Sequence, residues 1–191
     1  MKILQNIVRY PIKGFAGEFL KQVKLISGST IYGDRRFAFA RHDTNLNQKS
    51  LIYMKKTNFL ALVKDEKLAL LKYSLDLKEE YLKMYFKKEK CFEGMLQNEN
   101  DLSRLCDFMC NFLNINLDKK PKLIMDKSIT KKNLKHSFSD IPDKAISFIN
   151  LETIKDFEKK LIKKSITFVL EGTLTFREES LGRNLNGLEE N

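Results

Sequence analysis

The sequence predicts an α+β fold, with an N-terminal antiparallel β-barrel or sheet followed by a helix and the first part of a second β region. Three observations predict it. Short runs of alternating apolar and polar residues, typical of half-buried strands, fill the chain from Ile3 to Phe86. Glycines at positions 14, 17, 28 and 33 separate the first runs, as turn residues do. From Asn100 onward the apolar spacing becomes that of a helix.

Seven strands are predicted in the N-terminal half. Their apolar residues alternate with lysines and other polar residues, so one face of the sheet or barrel is expected to contact water. The predicted strands are Ile3–Val8, Phe19–Leu25, Phe37–Arg41, Leu51–Met54, Phe59–Val63, Leu68–Tyr73 and Tyr81–Phe86.

The second half combines helices and strands. Asp101 is predicted to cap a helix, because apolar residues follow it at helical spacing. Cys106 and Cys110 lie on or beside this apolar stripe, which favours small core residues over nucleophiles. Three further elements are predicted: a short strand at Lys122–Met125, a buried strand at Ala145–Ile149 and a helix at Leu151–Leu161.

The chain has the composition of a folded protein. Of its 191 residues, 42% are hydrophobic and 31% are charged, which argues against disordered and collagen-like classes. No run approaches the roughly 20 consecutive apolar residues of a membrane span. The N-terminus lacks the apolar run of a signal peptide. The predicted compartment is therefore the cytoplasm.

Cysteine and histidine usage predicts neither a disulfide framework nor a metal site. Cys91, Cys106 and Cys110 are an odd set, and His42 and His136 lie far from them in sequence. Thiolate metal sites ordinarily need a second Cys or His pair at ligand spacing. No catalytic residue is predicted either, because His136 has no serine or cysteine nucleophile at recognisable spacing.

The chain is strongly basic. Lys and Arg together number 35 and Asp and Glu 25, a formal charge of +10, which suits an anionic partner such as a phosphate, a nucleic acid or a lipid surface. Lysines spread along the chain carry most of the excess, and this distribution favours an ordinary solvated face.

Three short segments carry a resemblance to a known family. Tyr10–Gly14 (YPIKG) is followed about twenty residues later by Gly33–Phe37 (GDRRF). Together they resemble the opening of the MOSC proteins, named for the C-terminal domain of molybdenum cofactor sulfurase, whose N-terminal β-barrel contains Tyr-Pro-Val-Lys and then Asp-Arg-Arg-Trp. His136–Asp140 (HSFSD), with the strand and helix predicted after it, resembles the start of the MOSC domain. The resemblance covers about Met1–Ile166.

The resemblance implies a domain organisation and a cofactor. Residues 1–95 would form the N-terminal MOSC β-barrel-like domain, residues 96–166 a helix and the incomplete start of the MOSC domain, and residues 167–191 an atypical tail. Family members, such as the mitochondrial amidoxime-reducing component, bind a molybdenum cofactor and act as oxidoreductases or sulfur carriers. The implied partners are the phosphate of the pterin cofactor and an electron-donor protein, and the cofactor itself would supply the redox chemistry.

Five residues are predicted by this resemblance to bind the cofactor. Lys13, Gly14 and Arg35 match the family positions that hold its phosphate end. Lys and Arg offer a point charge and a bidentate fork for a phosphate, and Gly lets the backbone approach closely. Asn150 and Thr153 align with the start of a helix whose N–H groups favour an anion. Capping of that helix explains these two residues equally well.

Asp34 and Arg36 are interpreted as structural neighbours of Arg35. They would orient the turn and form ion pairs at the barrel rim. Residue types alone favour a tight, charged β-turn for all of these positions, with no ligand.

The chain departs from the family pattern after Ile166. An Arg-Phe-Arg strand, a Trp-Glu segment and the cysteine that ligates molybdenum or carries sulfur should follow, and no cysteine of this chain occupies that place. Residues 165–191 contain no lysine and have no clean period. Codons can be chosen for Leu170–Asn191 so that the neighbouring frame encodes FRGNFNFQGRVPWEEFEWIRRK, which restores both segments. We therefore expect a frameshift near Ile166–Val169 and a catalytically incomplete chain.

A function of another class is also open, namely a basic β-barrel module that binds nucleic acid or another polyanion without catalysis. Such a module needs aromatic side chains among the basic residues of one sheet face. Tyr53, Phe59, Tyr81 and Phe86 are candidates, but they also fit a barrel core, so nucleic acid is the less favoured partner. A third alternative is an inert remnant that binds no ligand.

Overall fold

The structure, a computed structural model, describes residues 4–25, 30–45, 53–126, 138–141 and 146–162. The chain divides into two compact units, Met1–Ala145 and Ile146–Asn191. Helices and antiparallel sheets occur together, which confirms the α+β class. The strands in the described ranges form three separate sheets, and no closed barrel is present within these ranges.

The described ranges contain seven strands and two α-helices. In chain order they are β1 (Ile7–Arg9), β2 (Glu18–Leu20), β3 (Phe37–Ala40), β4 (Leu71–Asp76), β5 (Tyr81–Phe86), β6 (Glu89–Met95), α1 (Glu99–Leu113), β7 (Lys122–Met125) and α2 (Leu151–Ile162). β1 pairs with β2, β3 pairs with β7, and β4, β5 and β6 form a meander, with every pairing antiparallel. Neither described helix is both long and apolar enough to cross a membrane.

The meander and α1 share the main hydrophobic core. Alternation along β4 and β5 turns Leu71, Leu75, Leu82 and Met84 inward, and all four are buried. The fully buried residues that α1 contributes to this core are Leu105, Cys106 and Met109, and partly buried apolar residues of the helix pack beside them. Cys110, one helical turn after Cys106, is buried as well. Both cysteines are thus core residues, as their spacing predicted.

The N-cap of α1 differs from the prediction. Asn98, not Asp101, precedes the helix, and its side-chain oxygen accepts a hydrogen bond from the Asp101 N–H at 3.1 Å. Asp101 lies inside the first turn, where its carboxylate accepts from the Met95 N–H at 2.9 Å and from Arg104 at 2.7 Å. The amide oxygen of Asn98 reaches a free N–H of the first turn, which is the physical requirement for a cap.

Several predicted strands differ from the structure because a strand forms only where a neighbour completes its hydrogen bonds. Residues 66–70 form a 3-10 helix, and Phe59–Val63 contributes a single bridge, from Phe59 to Ala40. Of Leu51–Met54, residues 53 and 54 are not in a strand, and the rest lies outside the described residues. Conversely, the sequence pattern missed β6, whose first two residues, Glu89 and Lys90, are charged and exposed.

The described part of the second unit consists of α2 and the segment before it. α2 confirms the predicted second helix. The buried strand predicted at Ala145–Ile149 is wrong for residues 146–149, which form no strand, and Phe148 is 82% exposed. A strand needs a hydrogen-bonding neighbour, and the described residues of this unit supply none. Ala145 itself lies outside the described residues.

Candidate functional site

β3 positions the first predicted binding residue. All four residues of β3 are buried, because one core cluster covers Phe37 and Phe39 and another covers Ala38 and Ala40, and both edges of the strand are hydrogen-bonded. β7 lies along one edge, and the backbone of Pro11–Lys13 and of Asn58–Leu60 lies along the other. The Lys13 N–H donates to the Phe37 carbonyl oxygen at 2.8 Å. The backbone of Lys13 is therefore fixed against a fully buried strand.

The turn before β3 brings the second predicted binding residue to the same place. Arg35 donates its backbone N–H to the Tyr10 carbonyl oxygen at 2.6 Å, and the Tyr10 N–H donates to Asp34 Oδ1 at 2.8 Å. These bonds join the YPIKG and GDRRF segments. Arg35 has a φ of 49°, a left-handed conformation that costs a non-glycine residue about 1–2 kcal/mol. The junction of the two segments holds it there.

The side chains of Lys13 and Arg35, the basic pair, meet at one carboxylate. Lys13 Nζ donates to Asp140 Oδ1 at 2.6 Å. Arg35 donates to Asp140 Oδ2 from Nη2 at 2.8 Å and from Nε at 3.2 Å. Arg35 Nη1 also donates to Asp34 Oδ2 at 2.5 Å, and the guanidinium lies 5.2 Å from the centroid of the Tyr10 ring. The two cations thus converge on the two oxygens of a single anion.

The three side chains differ in their access to solvent. The Lys13 side chain is 3% exposed, that of Arg35 is 21% exposed and that of Asp140 is 54% exposed. Lys13 Nζ also donates to the carbonyl oxygens of Phe138 at 3.1 Å and Ser139 at 3.4 Å. The ammonium group of Lys13 is therefore enclosed by the segment that carries Asp140, whereas Arg35 and Asp140 stay in contact with water.

Residues 138–141, the docked segment, are held by three kinds of contact. The Phe138 ring is fully buried in a small cluster with Ala38, Ala40 and Phe59. Its centroid is 5.6 Å from that of Phe59, with the rings in an edge-to-face arrangement. The second contact is the group of Lys13 hydrogen bonds, and the third is a bond of 3.2 Å from Tyr53 Oη to the Asp140 carbonyl oxygen.

The pKa of each charged group reflects this arrangement. Desolvation raises the pKa of Asp140, but the hydrogen bonds and charges of Lys13 and Arg35 outweigh it and hold the pKa below its ordinary value. Desolvation lowers the pKa of Arg35, and the carboxylates of Asp34 and Asp140 more than offset it. The cluster contains two basic and two acidic side chains, so their formal charges cancel.

Gly14 lies next to the basic pair but meets protein backbone. Its φ is 79°, and a Cβ added there would lie 2.7 Å from the Leu60 carbonyl oxygen. Any other residue at this position would clash with the backbone that runs beside β3. Gly14 is therefore required by the packing of its own backbone against Leu60, and its predicted approach to a phosphate stays a prediction.

Asn150 and Thr153 belong to the second unit. The Asn150 Oδ1 accepts a hydrogen bond from the Glu152 N–H at 3.0 Å, which is the capping bond expected at the start of α2. Thr153 is exposed in the first turn of the same helix. His136 lies outside the described residues, as do residues 163–191.

The neighbours of Arg35 have the structural contacts that the sequence indicated. Asp34 accepts from the Tyr10 backbone and from Arg35, which orients the turn. Arg36 forms an ion pair with the buried Glu80 and donates to the Leu77 carbonyl oxygen at 3.1 Å. This second pair joins the GDRRF turn to the meander.

The aromatic residues considered for base stacking lie in different environments. Phe59 is fully buried, and the Phe86 ring contacts Phe112 at 5.3 Å between centroids, so both pack in the protein interior. Tyr53 contacts the docked segment. Tyr81 alternates with buried residues of β5 and lies on the outer face of the meander. Phe59 and Phe86 therefore pack against the hydrophobic core clusters, and Tyr81 does not.

The thiols and carboxylates of the described ranges form no group of three that could hold a metal ion. Burial raises the pKa values of Cys106 and Cys110, which disfavours the thiolate. Comparisons with family models, curated proteins and solved structures find no match to this chain. Assignment to the MOSC family therefore remains a prediction that depends on the YPIKG, GDRRF and HSFSD segments.

Asp140, which bonds to both members of the basic pair, is not among the residues predicted from the sequence. Its partner Lys13 is 127 positions away in the chain, so no local period or spacing relates the two. The signal available in the sequence is the charge of the residues. HSFSD contains an aspartate, YPIKG contains a lysine and GDRRF contains arginines.

Proposed function

We propose that the basic pair is an oxyanion site and that it holds the phosphate end of a pterin molybdenum cofactor, as in the MOSC proteins that the sequence resembles. Lys13 and Arg35 would bind the phosphate. Gly14 would keep the Lys13 backbone in place through its approach to Leu60. The N-terminal β-barrel and the partial MOSC domain belong to the same proposal, as does the cytoplasmic location.

The observation that carries the proposal is the position of the Asp140 carboxylate. An oxygen anion already lies between the two cations, 2.6 Å from Lys13 Nζ and 2.8 Å from Arg35 Nη2. A carboxylate and a phosphate both offer two oxygens to such donors, and arginine pairs with either in a bidentate manner. The donors of the basic pair could therefore bind phosphate oxygens in place of the carboxylate oxygens.

A bound cofactor would bring molybdenum for redox or sulfur-transfer chemistry. The role of this chain in the proposal is binding, because Cys106 and Cys110 are buried in the core and Cys91 lies on the meander. We therefore propose a cofactor-binding chain that is catalytically incomplete, with an electron-donor protein as a partner.

A fluorescence titration tests the proposal, with an oxidised pterin that retains the phosphate of the cofactor as the probe. We expect saturable binding to the full chain and a loss of at least tenfold in Arg35→Gln, because removing one charged hydrogen-bond donor costs roughly 1.5–3 kcal/mol. Arg104→Gln is the matched control, since Arg104 is an exposed arginine paired with Asp101 on α1. Equal binding by the two variants would contradict the proposal.

A second candidate function has its own observation, on the outer face of the meander. Tyr85 lies directly opposite Lys72 on β4 and Lys90 on β6. Lys83 Nζ lies 5.6 Å from the centroid of the Tyr81 ring. Aromatic rings among cations on one sheet face suit stacking by bases of a single strand of nucleic acid.

Salt dependence separates this candidate from the first. A single-stranded oligonucleotide bound to the meander should lose affinity steeply as salt increases, and Tyr85→Ala should weaken its binding. Arg35→Gln should leave that binding unchanged, because Arg35 lies in the turn before β3 and not on the meander.

A further inference from the structure

We infer that Asp140 is a built-in competitor that closes the basic pair, and that an oxyanion ligand binds by taking the place of its carboxylate. The inference rests on the proposed function, because it describes how the same site is opened. Its ligand class is a phosphate or a similar tetrahedral oxyanion.

The docked segment blocks the access of external anions to Lys13. Lys13 is 3% exposed because its ammonium group lies against the docked segment, with bonds to Phe138 O, Ser139 O and Asp140 Oδ1. No external anion reaches this ammonium while Asp140 remains bound. A ligand that uses both members of the basic pair must therefore displace the carboxylate.

The bonds of the Asp140 carboxylate to the basic pair are the contacts that a ligand can replace. Asp140 is half-exposed, and its carboxylate bonds to Arg35 lie at the solvent boundary. Phe138 is fully buried two residues earlier, so it can anchor the docked segment while Asp140 moves away with its carboxylate and its carbonyl oxygen, which breaks the Tyr53 bond to that oxygen. The exchange then replaces one anion by another at the same donors and leaves the aromatic contact intact.

The strength of the competition from Asp140 sets how tightly an oxyanion binds. A carboxylate tethered to the site competes at an effective concentration of about millimolar or higher. Charged hydrogen bonds contribute enough that removing the competing charge should strengthen oxyanion binding by about tenfold or more. The unmodified chain should consequently bind simple oxyanions weakly, and a variant without this charge should bind them well.

The test is calorimetric titration of inorganic pyrophosphate into the full chain and its variants. Asp140→Asn keeps the size and shape of the side chain and removes its charge. The matched control is Asp107→Asn, which removes the carboxylate of a surface pair with Lys120 and changes the net charge equally. We expect affinity to rise at least tenfold in Asp140→Asn and to stay within about twofold of the unmodified chain in the control.

A second variant covers the case in which Asp140→Asn does not fold. Tyr53→Phe removes the hydroxyl that donates to the Asp140 carbonyl oxygen at 3.2 Å and leaves the carboxylate in place. One hydrogen bond fewer on the docked segment should raise pyrophosphate affinity by about two- to tenfold.

The outcomes separate the inference from the proposed function. If the unmodified chain, Asp140→Asn and Tyr53→Phe bind pyrophosphate equally, and Arg35→Gln abolishes binding, the oxyanion site exists and the competitor role is wrong. If none of these proteins binds pyrophosphate, both the proposed function and the inference fail. If the affinity for pyrophosphate rises equally in Asp107→Asn and Asp140→Asn, the change in net charge explains the effect and the inference is overturned.

Discussion

The substitution Phe138→Ala tests whether the docked segment is held by its aromatic anchor. Phe138 is fully buried, and its ring meets Phe59 edge to face at 5.6 Å between centroids. Burying such a ring is worth about 1.5–3 kcal/mol, and an aromatic pair adds about 0.5–1.5 kcal/mol. We therefore expect the free energy of unfolding to fall by about 2–4 kcal/mol, near the lower part of the range for Phe→Ala in cores.

The assay is urea unfolding followed by circular dichroism, with Phe148→Ala as the matched control. Phe148 is 82% exposed, so its truncation should change the free energy of unfolding by no more than about 0.5 kcal/mol. If Phe138→Ala and Phe148→Ala unfold at the same urea concentration with the same slope, the docked segment contributes nothing to stability and the described enclosure of Lys13 is wrong.

Four further predictions concern single positions. Gly14→Ala should lower the free energy of unfolding by about 2 kcal/mol or more in urea, because it combines a positive φ with a clash against Leu60 backbone; an unchanged midpoint would contradict the described turn. Lys88→Gly should raise the free energy of unfolding by up to about 1 kcal/mol, because Lys88 has a φ of 71° in the turn between β5 and β6. A lower free energy of unfolding would refute this prediction. Acid should weaken the docked segment: the folded pKa of Asp140 is below its ordinary value, so its contribution is complete above that value and is lost below about pH 4. In a pH series of urea melts, Asp140→Asn should lack that part of the acid loss. Cys106 should react slowly with a thiol reagent at pH 8 in the folded chain, because burial raises its pKa, and fast labelling would contradict its core position.

Local periodicity was sufficient for the elements whose two faces differ strongly. β5 was predicted as Tyr81–Phe86 and β7 as Lys122–Met125, with the bounds that the structure has. The stripe of α1 was predicted because apolar residues spaced by three or four positions share one helix face. The cysteines on that stripe then followed as core residues, since a free thiol behaves as a small apolar group.

Elements that depend on distant partners could not be predicted in this way. The sequence Ala145–Ile149 has the apolar run of a buried strand, yet residues 146–149 form none, because the described part of their unit offers no strand to pair with. β6 was missed because Glu89 and Lys90 hide its alternation, and its place follows from pairing with β5 across a two-residue turn.

The candidate site was predictable only in part. Lys13 and Arg35 were selected from the family resemblance, and the bonds between Tyr10 and the turn of residues 32–35 bring both to one place. Asp140 was not selected, because a contact between residues 127 positions apart leaves no trace in local spacing. Its carboxylate changes the interpretation of the site from an open cationic pair to a closed and neutral one.

The central claim is that Lys13 and Arg35 hold the phosphate end of a molybdenum cofactor. The most direct measurement is the molybdenum and pterin content of the purified full chain, by elemental analysis and by fluorescence after oxidation, beside Arg35→Gln and its control Arg104→Gln. We predict stoichiometric cofactor in the unmodified chain and in the control, and its loss in Arg35→Gln with the fold intact. A folded chain that carries neither molybdenum nor pterin would contradict the claim.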